Sequence, residues 1–331
     1  MASSQSSPSK SVSKDPSQLD PDTQIDTDCI CASALTPEEK TLVYDKTIPQ
    51  ILTLYRSGRI PKDDEAVKIA GRICADAKGM RESIPDLRPN PVANAVIKFM
   101  LYIITKDLGI SGKKVESIVG IAYAVIYKAI TQHFQVWEWN EKARKNTRTI
   151  MGFWDPIFFN DSIMELCRDG KTGLDPFRTL NDEGEPLKVH VKAYRNFHEL
   201  LLKLDKDEML TGYTKATVGY LAVKMYFDNK EKAKKQNDIL WVTAQWFDQA
   251  SEDIFRWRRA EVSNVWSQWR DDLGDRETEL RRAREEHEQG DPGQLEKSLV
   301  AAREEMRVVL GRMLEEKRRV AAYRAGQSTS E

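Results

Sequence analysis

Basic and tryptophan side chains lie close together between Val136 and Pro156, in the stretch VWEWNEKARKNTRTIMGFWDP. Cationic side chains bind the phosphate groups of a nucleic acid, and exposed tryptophans stack on its unpaired bases. On a helix that turns about 100° per residue, the basic side chains cover the half opposite an apolar side formed by Val136, Trp139 and Ile150. The stretch therefore predicts a helical RNA-binding face. The candidate residues in it are Lys142, Arg144, Lys145, Arg148, Trp137 and Trp154.

A second group of arginines alternates with tryptophans in IFRWRRAEVSNVWSQWR, from Ile254 to Arg270. Trp257 continues a stripe with Val242 and Trp246 at helical spacing, and such a stripe is typical of a core or an interface. Two basic and aromatic groups in one chain favour contacts with phosphates that do not depend on base sequence. The candidate RNA-binding residues in this second group are Arg256, Arg258, Arg259 and Arg270.

A purely structural interpretation of both groups stays open at this point. The tryptophans can be core residues and the cations a solvated helix face, while Glu138 and Glu141 weaken the positive field of the first group. Arginine beside tryptophan also allows stacking within the protein itself. The sequence leaves both interpretations open.

Other patterns that could support catalysis or metal binding do not fit their signatures. GKTG at 170–173 resembles a phosphate loop, but the glycine required five positions earlier is Glu165. His133, His190 and His198 have no nucleophile context around them, and the four cysteines lack paired metal-ligand spacing. The sequence therefore predicts no catalytic residue, no metal site and no cofactor.

Helical periodicity runs through most of the chain and predicts an all-α fold. The segment TPEEK can start a helix, because Thr36 and Glu39 form a capping box and Pro37 suits the first turn. Further helices are predicted at 190–206, 211–228 and 237–273. Asp-Gly and Asn-Gly hairpin signals flanked by alternating strands are missing, which disfavours β-structure.

The helices divide into two lobes with flexible or charged ends. Residues 1–35 contain nine Ser, five Asp and no aromatic residue, so they cannot bury enough surface to order themselves. The predicted regions are a disordered arm at 1–35, an N-terminal helical lobe at 36–166, a linking loop at 167–189, a C-terminal helical lobe at 190–273 and a charged helical tail at 274–331.

The composition indicates the cellular compartment of the protein but does not identify its binding partner. The net charge is −1, so a polyanion partner requires locally concentrated positive charge, and residues 36–250 carry 33 basic against 29 acidic side chains. No uncharged apolar run approaches the length of a membrane span, and no secretory signal core follows Met1. The sequence predicts a soluble, intracellular protein without a membrane span.

Apolar residues in the charged tail recur at alternating spacings of three and four, which is a heptad seam. The seam favours self-association or docking on a partner, and an amphipathic helix packed on its own domain is the alternative. The candidate self-association residues are Leu299, Ala302, Met306, Val309, Met313 and Val320.

A Ser/Pro/Asp-rich arm, a two-lobed helical core with basic groups and a heptad-bearing tail resemble the layout of RNA-virus nucleocapsids. More narrowly, the chain resembles the capsid-like protein from the first reading frame of plant amalgaviruses. The resemblance implies a self-associating RNA-binding protein of the host cytoplasm. It also implies a second product, in which a frameshift at a Phe-Arg codon pair joins the chain to the viral polymerase. Phe255-Arg256 stands at a suitable place for that event.

Three function classes follow from these observations, the third and most remote being a helical enzyme whose site matches no recognised pattern. The first is a non-enzymatic RNA-coating or RNA-compartment protein that self-associates and binds single- or double-stranded RNA independently of sequence. The second is a cytosolic helical scaffold that binds other proteins through its C-terminal heptads and does not bind RNA. The first depends on the basic side chains converging into one continuous groove that faces solvent.

Overall fold

The computed structural model describes residues 36–70, 96, 98–101, 103–104, 115–131, 133–140, 145–152, 159–160, 163–164, 166–167, 175–233, 235–286 and 293–327. At 39, 42, 46, 115–117, 129–130, 133–140, 145–152 and 323–327 the description is limited to the backbone. The described chain is predominantly helical, which confirms the predicted all-α class, and its one sheet is a two-stranded hairpin. The predicted arm at 1–35 lies outside the described residues.

The N-terminal part begins where the capping-box pattern predicts. The elements are α1 (Pro37–Thr41), a π-helical turn (Leu42–Thr47), α2 (Ile48–Ser57), α3 (63–70) and α4 (Val115–Thr131). Helix α2 ends at Ser57, and the next residue, Gly58, caps it with a left-handed φ of 60° that costs glycine little. The hairpin follows α4, with strands β1 (His133–Asn140) and β2 (Lys145–Gly152).

The C-terminal part starts after a turn-rich segment at 175–187, within the predicted linking loop. Its helices are α5 (Lys188–Lys206), α6 (Gly212–Asp228), α7 (Lys230–Ala233), α8 (Asn237–Trp257), α9 (Arg259–Val262), α10 (Trp266–Glu286) and α11 (Gln294–Gln327). The predictions at 190–206 and 211–228 match α5 and α6 closely. The predicted single helix at 237–273 is wrong, because the chain turns after Trp257 and again after Val262.

Helix α8 lies at the centre of the C-terminal part. Its buried stripe contains Val242, Trp246 and Ile254, each fully shielded from solvent. Helix α6 approaches α8 closely because Gly219 has no side chain there: a Cβ would lie 3.0 Å from Ile254 Cδ1 and 3.1 Å from Trp246 Cε3. The buried apolar residues of both parts belong to one cluster that runs from Val43 to Val309. The two predicted lobes therefore share a core.

The heptad seam of α11 packs inside its own chain over its first half. Leu299, Ala302, Met306 and Val309 are buried at 0–4% exposure, where α11 lies against α8 and α10. The Trp266 indole N–H donates to the Met306 carbonyl oxygen at 3.2 Å, and Arg284 pairs with Glu296 at 3.1 Å. The prediction that these four seam residues contact a second copy of the chain is therefore wrong. They bury apolar surface within the monomer, which is the alternative that the amphipathic pattern also allowed.

The second half of α11 extends beyond this packing. Met313 is partly buried against the core, whereas Val320 and Leu314 are 44% and 48% exposed. Of the predicted self-association residues, only Met313 and Val320 therefore stay at all accessible to a partner. None of the helices in the described part of the chain is long and apolar enough to cross a membrane.

Candidate nucleic-acid interface

Residues 133–140 and 145–152 form the paired strands of a β-hairpin, and the helix predicted over them is wrong. Strands β1 and β2 pair antiparallel, with Trp137 opposite Arg148 and Asn140 opposite Lys145. The physical reason is the density of aromatic and β-branched residues, including Trp139, Thr147 and Thr149, which fit a pleated sheet better than a helix. Helical spacing and strand spacing are hard to separate in such a short segment.

The hairpin changes how the predicted basic residues are arranged. Residues alternate between the two faces of a strand, so Lys145 and Arg148, three apart on β2, belong to opposite faces. Arg148 shares its register position with Trp137. Lys142, Arg144 and Trp154 lie outside the described residues. What stays from the sequence is a run, 142–148, with four basic residues and no acidic one.

The second predicted group is divided by the turns that follow α8. Two of its tryptophans are core residues: Trp266 is 1% exposed and lies edge-to-face against Phe255, and Trp269 is 8% exposed and stacks on Phe227 with ring centroids 4.9 Å apart. The turns allow α10 to fold back so that these rings are buried. Neither ring is available to stack on a base in this structure.

The four predicted arginines of this group have different surroundings. Arg258 donates to Thr217 Oγ1 at 2.9 Å and pairs with Glu261, and Arg270 pairs with Asp271 at 2.8 Å. Arg256 pairs with Glu252 at 2.8 Å but is 63% exposed. Arg259 is exposed and has no ion-pair partner among the described residues. Arg256 and Arg259 are therefore the accessible cations, while Arg258 mainly joins α8 to α6.

Trp257, expected in the buried stripe, is 52% exposed and contacts Tyr213, which is 44% exposed. Their ring centroids are 5.8 Å apart with an interplanar angle of 82°. Trp257 ends α8 beside the first turn of α6, so α6 does not extend far enough to cover it. Sequence reasoning missed Tyr213, because the two residues are far apart in the chain and no local pattern links them.

An arginine from the tail also reaches this end of α8. Glu252 accepts from Arg256 through Oε1 at 2.8 Å and from Arg312 of α11 through Oε2 at 3.0 Å. We call Tyr213, Trp257, Arg256, Arg259 and Arg312 the aromatic patch. Its five residues come from α6, α8, α9 and α11, and only Arg256 and Arg259 were among the predicted site residues. The patch combines exposed rings with exposed cations near the C-terminal end of α8, which is the chemistry expected of a nucleic-acid contact.

The buried histidine of α5 has a structural role. His198 is 5% exposed, and its Nδ1 accepts a hydrogen bond from the Trp246 indole N–H at 3.0 Å. Burial lowers the pKa of His198 to about 3, so the imidazole is neutral at physiological pH. Within the described residues no group of three or more His, Cys, Asp or Glu side chains is placed to hold a metal ion.

We expect His198 to make stability depend on pH below neutrality. Its pKa is lowered from 6.5 to about 3 in the folded state, so the unfolded chain binds the extra proton between these values. The stability contributed by the neutral imidazole is therefore fully present above pH 6.5 and is lost progressively as the pH falls toward 3. Urea unfolding at pH 7 and pH 5 should show about 2 kcal/mol lost through this group.

His198→Gln is the matched control, because glutamine keeps a hydrogen-bond acceptor for Trp246 and does not titrate in this range. The variant should lose about 2 kcal/mol less than the wild type between the two pH values. An equal loss in both proteins would mean that other groups cause the pH dependence.

Comparison of the chain with protein-family models, with curated proteins and with solved structures returns no match.

Proposed function

We propose that the protein is a non-enzymatic, nucleocapsid-like RNA-binding protein that holds RNA through phosphate contacts independent of base sequence. The observation that carries this proposal is the sequence run 142–148, which has four basic residues and no acidic one and continues into strand β2 from Lys145 onward. A two-stranded ribbon is one of the elements that proteins use to contact nucleic acid. The register partner of Arg148 is Trp137, so a ring and a cation share one position on the hairpin.

The hairpin also supplies what sequence-independent binding requires. Phosphate contacts supply affinity without reading bases, and each contact makes binding weaken with added salt. Lys145 and Arg148 are three positions apart on β2, so by strand alternation they belong to opposite faces. Glu138 and Glu141 precede the run and reduce its field, but they do not interrupt it.

The viral assignment is part of the same proposal and is supported by the layout of the chain. In a plant amalgavirus, the protein would act in the host cytoplasm and would also exist as a fusion with the viral polymerase. A frameshift at Phe255-Arg256 would end the shared sequence at the last turn of α8. The fusion would then lack Trp266 and the α11 seam, which cover α8 here, so the polymerase part would have to cover that apolar surface.

Filter binding of an unstructured single-stranded RNA tests the proposal. Retention should be strong at 50 mM salt and should fall steeply by 200 mM, because released counterions favour binding at low salt. A matched double-stranded RNA should also be retained, since the phosphates are common to both. No retention of either RNA at low salt would overturn the proposal.

The second candidate function is a helical scaffold, and the exposed half of α11 favours it. Leu314 and Val320 continue the helix past its packing with 48% and 44% exposure, which leaves apolar surface for a partner helix. The heptad positions that flank the seam there include Arg312, Lys317 and Arg319. In a dimer of two copies these cations would face one another, so like-charge repulsion would oppose the association.

Self-association through this segment should therefore strengthen as salt is added, whereas RNA binding should weaken. Salt screens the repulsion between flanking cations, and the Debye length falls from about 10 Å at 0.1 M to about 3 Å at 1 M. Light scattering after size-exclusion chromatography should show a larger species at high salt. Val320→Asp should remove that species without lowering thermal stability, because the side chain is exposed.

Val300→Asp is the matched control, since Val300 is also on α11 and 50% exposed but lies outside the extending half. It should leave the oligomeric state unchanged. Equal loss of the oligomer in both variants would place the contact along the whole outer surface of α11, and no oligomer at any salt would argue against self-association through the tail.

A further inference from the structure

The aromatic patch is unusual among the exposed apolar side chains of this protein. Seven large hydrophobic residues are more than 40% exposed in the described part of the chain, and five of them are aliphatic. The two aromatic ones, Tyr213 and Trp257, contact each other edge-to-face. Single exposed apolar residues are ordinary, whereas adjoining exposed rings bordered by charge are typical of a binding site.

The rings are held in place from below. Gly212 lies close to the indole nitrogen: a Cβ at this glycine would be 3.5 Å from Trp257 Nε1 and 3.2 Å from Asp253 Oδ1. The Arg258 guanidinium lies 5.9 Å from the Tyr213 ring centroid and 5.5 Å from that of Tyr220. Its hydrogen bond to Thr217 anchors it to α6. The ring positions are therefore set before a ligand arrives, which lowers the entropy cost of stacking.

The arginines of the aromatic patch are exposed, and the ion pairs that they form are weak. Arg256 and Arg312 are 63% and 66% exposed, and both pair with Glu252, which is itself 54% exposed. Exposed ion pairs of this kind contribute about 0–1 kcal/mol each. A phosphate can accept hydrogen bonds from two guanidinium groups, as the Glu252 carboxylate does here. The planar guanidinium group suits the geometry of phosphate oxygens. Arg259 adds a third exposed cation.

Acidic groups near Gly212 also affect where a phosphate can lie. Lys215 is 3.2 Å from both Asp205 and Asp253, so one ammonium faces two carboxylates beside Gly212. Burial raises the pKa of Asp205, although the Lys215 charge opposes that shift. Asp205 and Asp253 outnumber Lys215 there and would repel a phosphate, whereas the arginines of the aromatic patch would attract one.

We propose that Tyr213 and Trp257 stack an unpaired base of RNA while Arg256, Arg259 and Arg312 hold the neighbouring phosphates in place of Glu252. The ring faces accept any base, because every base has a π-face. Bases within a duplex are already stacked and paired, so the aromatic patch adds affinity only for single strands. The inference depends on the proposed function for its choice of RNA, but it uses side chains separate from the hairpin.

The test compares three ligands of equal length: a single-stranded RNA, its duplex and a single strand of abasic sugar-phosphate. Trp257→Ala in the full-length protein should weaken binding of the single strand by about 5- to 150-fold, the effect of one lost base stack. Affinity for the duplex and for the abasic strand should not change. Trp257→Phe should retain most of the wild-type affinity, because a ring remains.

A second variant tests the role of Glu252 with a gain of binding. Glu252→Gln releases Arg256 and Arg312 from their shared carboxylate, so single-strand affinity at low salt should rise several-fold and the salt dependence should become steeper. Glu304→Gln is the matched control, because Glu304 pairs with Arg307 at 2.5 Å on α11 outside the aromatic patch. This control should leave RNA affinity unchanged.

Two results would overturn the inference. One is wild-type single-strand affinity in Trp257→Ala, and the other is an equal loss on the abasic strand, which would show that no base is stacked. Either result leaves the hairpin proposal intact, because that proposal is tested by the basic residues at 142–148. Conversely, Trp257→Ala could weaken binding of the single strand but not of the abasic strand. That result would support base stacking on the aromatic patch even if a variant without the basic residues at 142–148 bound RNA normally.

Discussion

Replacing Lys142, Arg144, Lys145 and Arg148 together by glutamine is expected to weaken single-stranded RNA binding by about two to three orders of magnitude at low salt. A hydrogen bond to a charged group contributes about 1.5–3 kcal/mol when buried, and about 1 kcal/mol per contact is a fair value for exposed phosphates. Four such contacts sum to about 4 kcal/mol, and each 1.4 kcal/mol is a factor of ten. The hairpin is then the main source of affinity.

The salt dependence should change together with the affinity. Each phosphate contact on a single strand contributes about −0.7 to the slope of log K against log salt, so removing four contacts should flatten the slope by about 3. Filter binding or fluorescence anisotropy at several salt concentrations measures both quantities. The loss should be the same for RNAs of different sequence, because phosphates carry no sequence information.

A control with the same change in net charge separates local contact from general attraction. Arg281, Arg282, Lys297 and Arg307 are four exposed cations of α10 and α11, and their joint replacement by glutamine removes the same charge elsewhere. That variant should bind RNA within a few-fold of the wild type. Similar losses in the two quadruple variants would contradict the hairpin as the binding element and would point to non-specific attraction.

Met306→Ala is expected to lower the free energy of unfolding by about 2–5 kcal/mol and the melting temperature by roughly 5–15 °C. Met306 is fully buried where α11 packs against α8 and α10. Removing its side chain leaves a cavity whose lining cannot collapse fully, and the lost contacts add to the lost burial of apolar surface. Chemical denaturation and calorimetry of the monomer measure the change.

The matched variant is Val320→Ala in the same heptad seam. Val320 is 44% exposed beyond the packed half of α11, so its truncation should change stability by less than about 0.5 kcal/mol. If instead Met306→Ala left the monomer stable and abolished an oligomer, the seam would be an interface between copies. Comparison of the two variants therefore shows whether the seam packs against its own chain or against a second copy.

Periodicity predicted most of the helices because a helix is set by contacts within three or four residues. The buried stripe of α8 and the start of α1 at Pro37 follow from side-chain spacing and capping chemistry, both of which are local. The break after Trp257 was not predictable in this way. No proline or glycine stands there, and the turns bury Trp266 against Phe247 and Phe255 of α8, a contact between two helices that local spacing does not encode.

The candidate site was predicted in part. The basic run at 142–148 is visible in the sequence, but its placement on a hairpin depends on pairing between β1 and β2, which local spacing does not encode. Arg256 and Arg259 were identified among the arginines, while Arg270 has an acidic partner next to it. The continuous groove expected from both basic groups remains a prediction, because the hairpin is described by its backbone alone.

By itself, the sequence determined the all-α class, the starts and extents of the well-separated helices and the amphipathic face of α11, since each follows from short-range periodicity. The tertiary structure alone decided which surface that face covers and which tryptophans remain exposed. It also brought Tyr213 to Trp257 and Arg312 to Glu252. The physical reason is that burial is a property of pairs of elements: a side chain becomes core or surface according to where the neighbouring helix ends, and no local pattern records that position.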